Sequence, residues 1–183
     1  MTNEAHIPSK AELLAKLRSS GEHLTTQLAS LAPEVFEQGR YENGWNGRQI
    51  LAHVASIEWS YPRLLDIAKQ GTPLVEGEKR PELRRTEPAD AGDLPTRTPV
   101  QGGIDGYNER QVAKRAEASA AELLEEFARN RAATIAAVES ADDALLRTPI
   151  RSAGGITGAL ASVIEAVAVL HIIGHANDIA GTS

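Results

Sequence analysis

The sequence predicts an all-α protein, a four-helix bundle of up-down-down-up topology, and three observations carry that expectation. Apolar residues recur at three- and four-residue steps along four long stretches, the spacing that lines one face of a helix. Aromatic residues make up only 4% of the chain while alanine and leucine are plentiful, which suits helices packed closely against one another. Residues 71–104, between the second and third stretches, hold Pro73, Pro81, Pro88, Pro95 and Pro99 and no sustained hydrophobic period, so they form a connection and not a bundle helix. At 183 residues the chain fits one domain, 1–183, with an adequate core.

The first helix opens at Ser9, whose side chain caps it, with Glu12 three residues on to complete a capping box. Leu13, Leu14, Leu17, Leu24, Leu28 and Leu31 then mark its buried face before Pro33 stops it. Asn46 and Gln49 make the same signal for the second helix, which runs to about Gln70, with Gly71 and Pro73 as the stop. Pro62 lies inside that run, where a kink or break is expected. The third stretch covers roughly Asp105 to Ser140. A second capping pair, Ser119 and Glu122, divides it into a short leading helix and a main one bearing Leu123, Leu124, Phe127, Ile135 and Val138. The fourth runs from about Thr157 to Ala180.

Three histidines stand where these helices should be apolar. His171 and His175 are one helical turn apart on the line through Leu160, Ile164, Val167 and Asp178. His53 shares the inward stripe of the second helix with Ile50, Ile57, Tyr61 and Leu64. Burying an imidazole is costly unless its nitrogens find partners. One reading is a set of core or surface histidines hydrogen-bonded to neighbours; the other is a shared divalent ion, which satisfies all three at once. Imidazole suits zinc, nickel, copper or iron.

Ligand height favours the ion. His53 lies roughly 10 Å from the start of its helix at 1.5 Å per residue, whereas His171 and His175 lie near the end of theirs. Helices two and four must therefore run antiparallel, which an up-down-down-up order provides with one long crossover between helices two and three. The Pro-rich connection stands at that place.

The residues three before His53, His171 and His175 are Ile50, Ala168 and Ile172, so the Glu-x-x-His pattern of dinuclear carboxylate sites is missing. Ile172 follows His171, which removes the His-Glu-x-x-His protease motif. A mononuclear site with three neutral ligands and an open face is expected, holding one divalent metal (zinc, nickel or iron) that can ionise a water or a thiol. Asp178 is the candidate catalytic group, as a base near the metal or as the partner that orients a ligand histidine; the plain alternative is a solvated acid at a helix end. Arg131, between Phe127 and Ile135, is read as snorkelling to water and Trp45 as a staple packed at the helix start. Asn108 reads as a polar residue of a helix start.

A net charge of −6, with no basic cluster longer than pairs such as Arg84-Arg85, argues against nucleic-acid binding. No signal-type segment opens the chain, and no run approaching the roughly 18 apolar residues of a membrane span is read in it, so a cytoplasmic protein is expected. With zero cysteines, any thiol chemistry must come from a bound small molecule. The expected partners are a small-molecule substrate and, through exposed helix faces, a second copy of the chain.

Trp45, Asn46 and Ile50-Leu51-Ala52-His53, together with His171-Ile-Ile-Gly-His175, resemble the DinB/YfiT-like metalloprotein superfamily. The resemblance implies a four-helix bundle and one divalent ion held by a histidine of helix two and two ligands of helix four, positions that match His53, His171 and His175. It also implies a function among thiol-dependent S-transferases and isomerases, which use mycothiol, bacillithiol or glutathione, or among hydrolases. The segment IDGYNERQV is similar to the asparagine-bearing start of helix three in mycothiol-dependent maleylpyruvate-isomerase-like members. Relatives of that isomerase include chains with a carboxylate at one helix-four ligand position, where this chain has histidine at both. A noncatalytic module that binds metal or a small ligand is the alternative.

Overall fold

The computed structural model of the chain describes residues 6–41, 44–70 and 103–182. The Pro-rich connection expected at 71–104 lies, but for its last two residues, outside the described residues. The chain is mostly helical, in the order α1 (Lys10–Ala29), α2 (Pro33–Phe36), α3 (Gly47–Glu58), α4 (Pro62–Gln70), α5 (Gly103–Ala113), α6 (Ala120–Ser140), α7 (Asp143–Leu146), β1 (Pro149–Arg151), β2 (Thr157–Ala159) and α8 (Leu160–Ala180). Helix α8 has three parts: an α-helical turn Leu160–Glu165, a π-helical turn Ala166–Leu170 and an α-helix His171–Ala180.

The helix starts follow the caps. Ser9, Asn46 and Ser119 each accept a hydrogen bond from the backbone three residues on, and Glu12, Gln49 and Glu122 reach back to complete three capping boxes. Pro62 does break the second stretch: α3 ends at Glu58 and α4 begins on the proline, where a missing N–H costs nothing. Gly181 ends α8 in the left-handed conformation, with φ of 68°.

Two expectations about the fourth stretch need correction. The fourth stretch does not become helical at Thr157. Residues 149–159 form a small antiparallel hairpin, with Ile150 paired to Gly158, because the β-branched Ile156 and Thr157 follow the Gly154-Gly155 turn. Helix α8 is also long and apolar enough to cross a membrane by length and composition, although no such run was expected. Its many alanines raise the apolar content, but it is a core helix here: it packs on α1 and α3 and buries Leu160, Ile164, Ile172, Ala176 and Ile179.

Helix α1 packs on α6 and α8, and α3 packs on the same two. The core between them falls into two apolar clusters. One gathers Leu13, Leu17, Leu65, Val138, Leu160 and Ile164; the other gathers Leu24, Leu28, Ile50, Phe127, Ile172 and Ile179. Four buried polar residues, Ser20, Glu58, Arg131 and Thr134, come from the helical segments that link the two.

Arg131 organises that layer, and it does not snorkel. Its side chain is 5% exposed and that of Glu58 is 0%. Nε and Nη2 donate to the two carboxylate oxygens of Glu58 at 2.8 and 2.9 Å; Nη1 donates to Leu17 O and Ser20 Oγ at 2.9 Å; Nη2 also donates to Ala168 O at 2.7 Å. All five N–H donors are thereby used. Thr134 Oγ1 donates to Glu58 Oε1 at 2.9 Å. The arginine stem packs closely on Gly21: a Cβ there would stand 3.2 Å from Arg131 Cγ. Burial pushes the Glu58 carboxyl above its usual value, and Arg131 pulls it back.

Removing one member of such a pair strands the other in the core. Arg131→Met should lower stability by about 3–5 kcal/mol, and the double variant Glu58→Leu/Arg131→Met should recover a measurable part of that loss. Urea unfolding midpoints of the two variants decide it.

Candidate metal centre

His53, on α3, is 4% exposed, and one ring nitrogen from each of His53, His171 and His175 lies within 4.8 Å of the others. The three rings form a compact group: His53 stands edge-on to His171 and His175 with centroids 5.6 and 5.3 Å away, and the other two are 4.4 Å apart. The sequence-predicted ligands are therefore together at the α3–α8 interface.

The π-helical turn of α8 sits directly before the first of its two histidines. There the His171 N–H bonds to Ala166 O, five residues back. Two carbonyls of the turn are held by side chains from outside the helix, Val167 O by the Tyr61 hydroxyl at 2.6 Å and Ala168 O by Arg131. The buried polar layer thus grips the segment that sets the angular position of His171 and His175, while Glu58 anchors α3 five residues beyond His53.

Do these residues fit an ion? His171 Nε2 and His175 Nε2 are 3.0 Å apart, and two imidazole nitrogens on a tetrahedral zinc would stand about 3.3 Å apart at bond lengths of about 2.05 Å. His53 Nδ1 is fully buried without a hydrogen-bond partner, a condition that leaves a polar group unsatisfied. Burial, reinforced by the neighbouring imidazoles, lowers the pKa of His53 to about 3 and that of His171 to about 4, with the Val167 carbonyl acting in the opposite direction on His171. His175 is also lowered by burial, against the pull of Asp178. All three are neutral at pH 7, the form that binds a metal. The donor set fits one divalent ion.

Asp178 and a residue the sequence did not single out complete the surroundings. The Tyr41 hydroxyl donates to Asp178 Oδ2 at 2.5 Å, and both lie beside His175 Nδ1, at 3.2 Å from the hydroxyl and 3.3 Å from the carboxylate. Burial, helped by Asp178, raises the Tyr41 pKa above its usual value, so the hydroxyl keeps its proton. Asp178 therefore meets the side of His175 remote from His171. Trp45 packs with the cluster that holds Ile50, as a staple would, and its ring centroid lies 5.2 Å from that of His53, while Nε1 donates to Glu109 of α5 at 3.1 Å. Asn108 is half-buried on α5. Tyr41 left no sequence signal, because it belongs to a loop outside every hydrophobic period.

A protein-family model described as the DinB superfamily matches residues 40–178. Among solved structures, the mycothiol-dependent maleylpyruvate isomerase is similar at a TM-score of 0.68 and 16% identity, covering 94% of this chain and 61% of that one. A histidine-to-alanine mutant of a mycothiol-dependent maleylpyruvate isomerase gives a TM-score of 0.65 at the same identity and coverage. The chain thus spans about three-fifths of the isomerase's length. No curated protein matches it.

Freshly purified protein should carry one divalent ion per chain by mass spectrometry of metals. His53→Ala, His171→Ala and His175→Ala should each lose most of it, and His6→Ala and His23→Ala, both at exposed positions, should keep it. Full occupancy in His171→Ala would rule out this coordination.

Proposed function

Because the chain belongs to the DinB superfamily, we propose that it is a metal-dependent enzyme in which His53, His171 and His175 hold one divalent ion and a small-molecule thiol, or else water, is the nucleophile. The observation that carries this reading is the convergence of three neutral imidazoles from two helices, with His53 Nδ1 left unpaired. A bound divalent ion would supply Lewis acidity, making a thiol or water nucleophilic near neutral pH.

The chain's own residues do the rest. His171 and His175 are half-buried while His53 is enclosed, so the site is open on the α8 side, which favours a reactive centre over a sealed structural one. An S-transferase or isomerase using an external thiol is the form we favour within the thiol-or-hydrolase class. The chain has no cysteine of its own, and the similar solved structure is named as mycothiol-dependent. Asp178 acts at this site through His175. We also propose the up-down-down-up order for the four long helical segments. Its support is that the early part of α1 shares a cluster with the late part of α6 and the early part of α8, while α3 joins the late part of α1 and α4 the early part.

Cobalt-substituted protein provides the test. Addition of mycothiol should produce a thiolate-to-cobalt absorption band, with bacillithiol and glutathione giving the same result if they are the native thiol. No band with any of the three would remove the thiol form of the proposal. Chelation should leave the helical circular dichroism largely intact; collapse of the fold on chelation would instead favour a noncatalytic module whose metal serves stability.

A further inference from the structure

We infer that Tyr41 and Asp178 form a relay that holds His175 as its Nδ1–H tautomer and so turns the Nε2 lone pair toward His171 and the ion. The inference rests on the metal reading of the site, and it assigns roles to a loop residue and an acid on the far side of the ligand ring.

The hydrogen-bond arithmetic around Nδ1 leaves one arrangement. The Tyr41 hydroxyl has a single proton, and the 2.5 Å contact commits it to Asp178 Oδ2. Tyr41 Oη and Asp178 Oδ2 then both face His175 Nδ1 as acceptors, at 3.2 and 3.3 Å. A lone pair on Nδ1 would confront two oxygens; a proton there satisfies both. With the proton on Nδ1, Nε2 of the neutral ring is the free donor atom, and that is the atom 3.0 Å from His171 Nε2. A carboxylate behind a ligand histidine fixes ring orientation and strengthens the ligand in this way.

The loop that carries Tyr41 is built to deliver it. Gly39 and Asn46 form an isolated antiparallel bridge, Arg40 N–H donates to Trp45 O at 3.2 Å, and Gly44 N–H donates to Tyr41 O at 3.2 Å. Gly47 N–H closes the base of the loop on Gln38 O at 3.2 Å. The hydroxyl thereby crosses from the start of α3 to the last turns of α8, while the tyrosine itself remains 41% exposed. Tyr41 and Asp178 are positioning residues, since both reach the site only through His175.

Long-range proton–nitrogen correlation spectra of the metal-free protein report the tautomer directly, and competition with a chromophoric chelator reports zinc affinity. Wild type should show His175 as Nδ1–H. Asp178→Asn, which removes the carboxylate and frees the Tyr41 hydroxyl to donate to Nδ1, should shift the ring toward a tautomer mixture and weaken zinc binding by about 10–100-fold. Tyr41→Phe, which removes the anchor of Asp178 but leaves its carboxylate facing Nδ1, should keep the Nδ1–H form and weaken zinc binding less. The double variant should be little worse than the weaker single one. Exposure of Tyr41 makes Tyr41→Phe a mild change for the fold, and an unchanged melting temperature would separate positioning from structural damage. Unchanged tautomer and affinity in both single variants overturn the relay. A wild-type chain that takes up no zinc, yet shows the Nδ1–H form and loses it in Asp178→Asn, would defeat the metal reading and still support the relay.

Discussion

A single guanidinium ties the four long helical segments together. Arg131 projects from α6, takes both oxygens of Glu58 at the end of α3, bonds two acceptors on α1 and reaches a carbonyl of α8. A charge so deeply buried is tolerable only because each of its donors is met and the opposing charge lies in the same plane. That requirement fixes the helices relative to one another more sharply than apolar packing does, since hydrocarbon surfaces can slide and a five-fold set of hydrogen bonds cannot. The histidines depend on it, because one of them lies a turn and a half before Glu58 on α3 and the others follow the α8 carbonyl that Arg131 holds.

The electrostatics of the two polar regions differ in kind. At Arg131 and Glu58 opposite groups face each other, and burial raises the carboxyl against the downward pull of Arg131 and Thr134. Among the described residues no opposing charge enters the histidine group directly, and Asp178 stands behind one ring. Burial therefore keeps the imidazoles neutral, and a cluster of neutral donors can accept a cation without first losing protons. A core that is charged and self-satisfied thus supports a neighbouring site that is uncharged and unsatisfied.

Much of this was readable from the residues. Caps, periodicity and Pro62 located the helix boundaries because those signals are local, and the three histidines were evident because their spacing placed them on apolar stripes. Arg131 was misjudged for the complementary reason: its partner Glu58 lies 73 residues away in sequence, and one-dimensional spacing shows an arginine on an inward stripe without showing who meets it. Tyr41 was invisible, since a loop residue gains its meaning only from where the loop lands. The hairpin at 149–159 was lost because its strands are three residues each, too short for alternation to register.

The π-helical turn Ala166–Leu170 amounts to one residue more than an α-helix would place in the same span. Each residue of an α-helix advances the direction of its side chains by about 100°. Wound as a regular α-helix, the same five residues would swing His171, His175 and Asp178 together by roughly a quarter turn around the axis. Composition, charge and hydrophobicity would be the same, yet the donor atoms would address a different neighbour. In this chain the angular bearing of the histidines is thus set by the winding of the turn before them, and a sequence of the same length that shares all five residues of the His171–His175 motif but winds that turn regularly would aim it elsewhere.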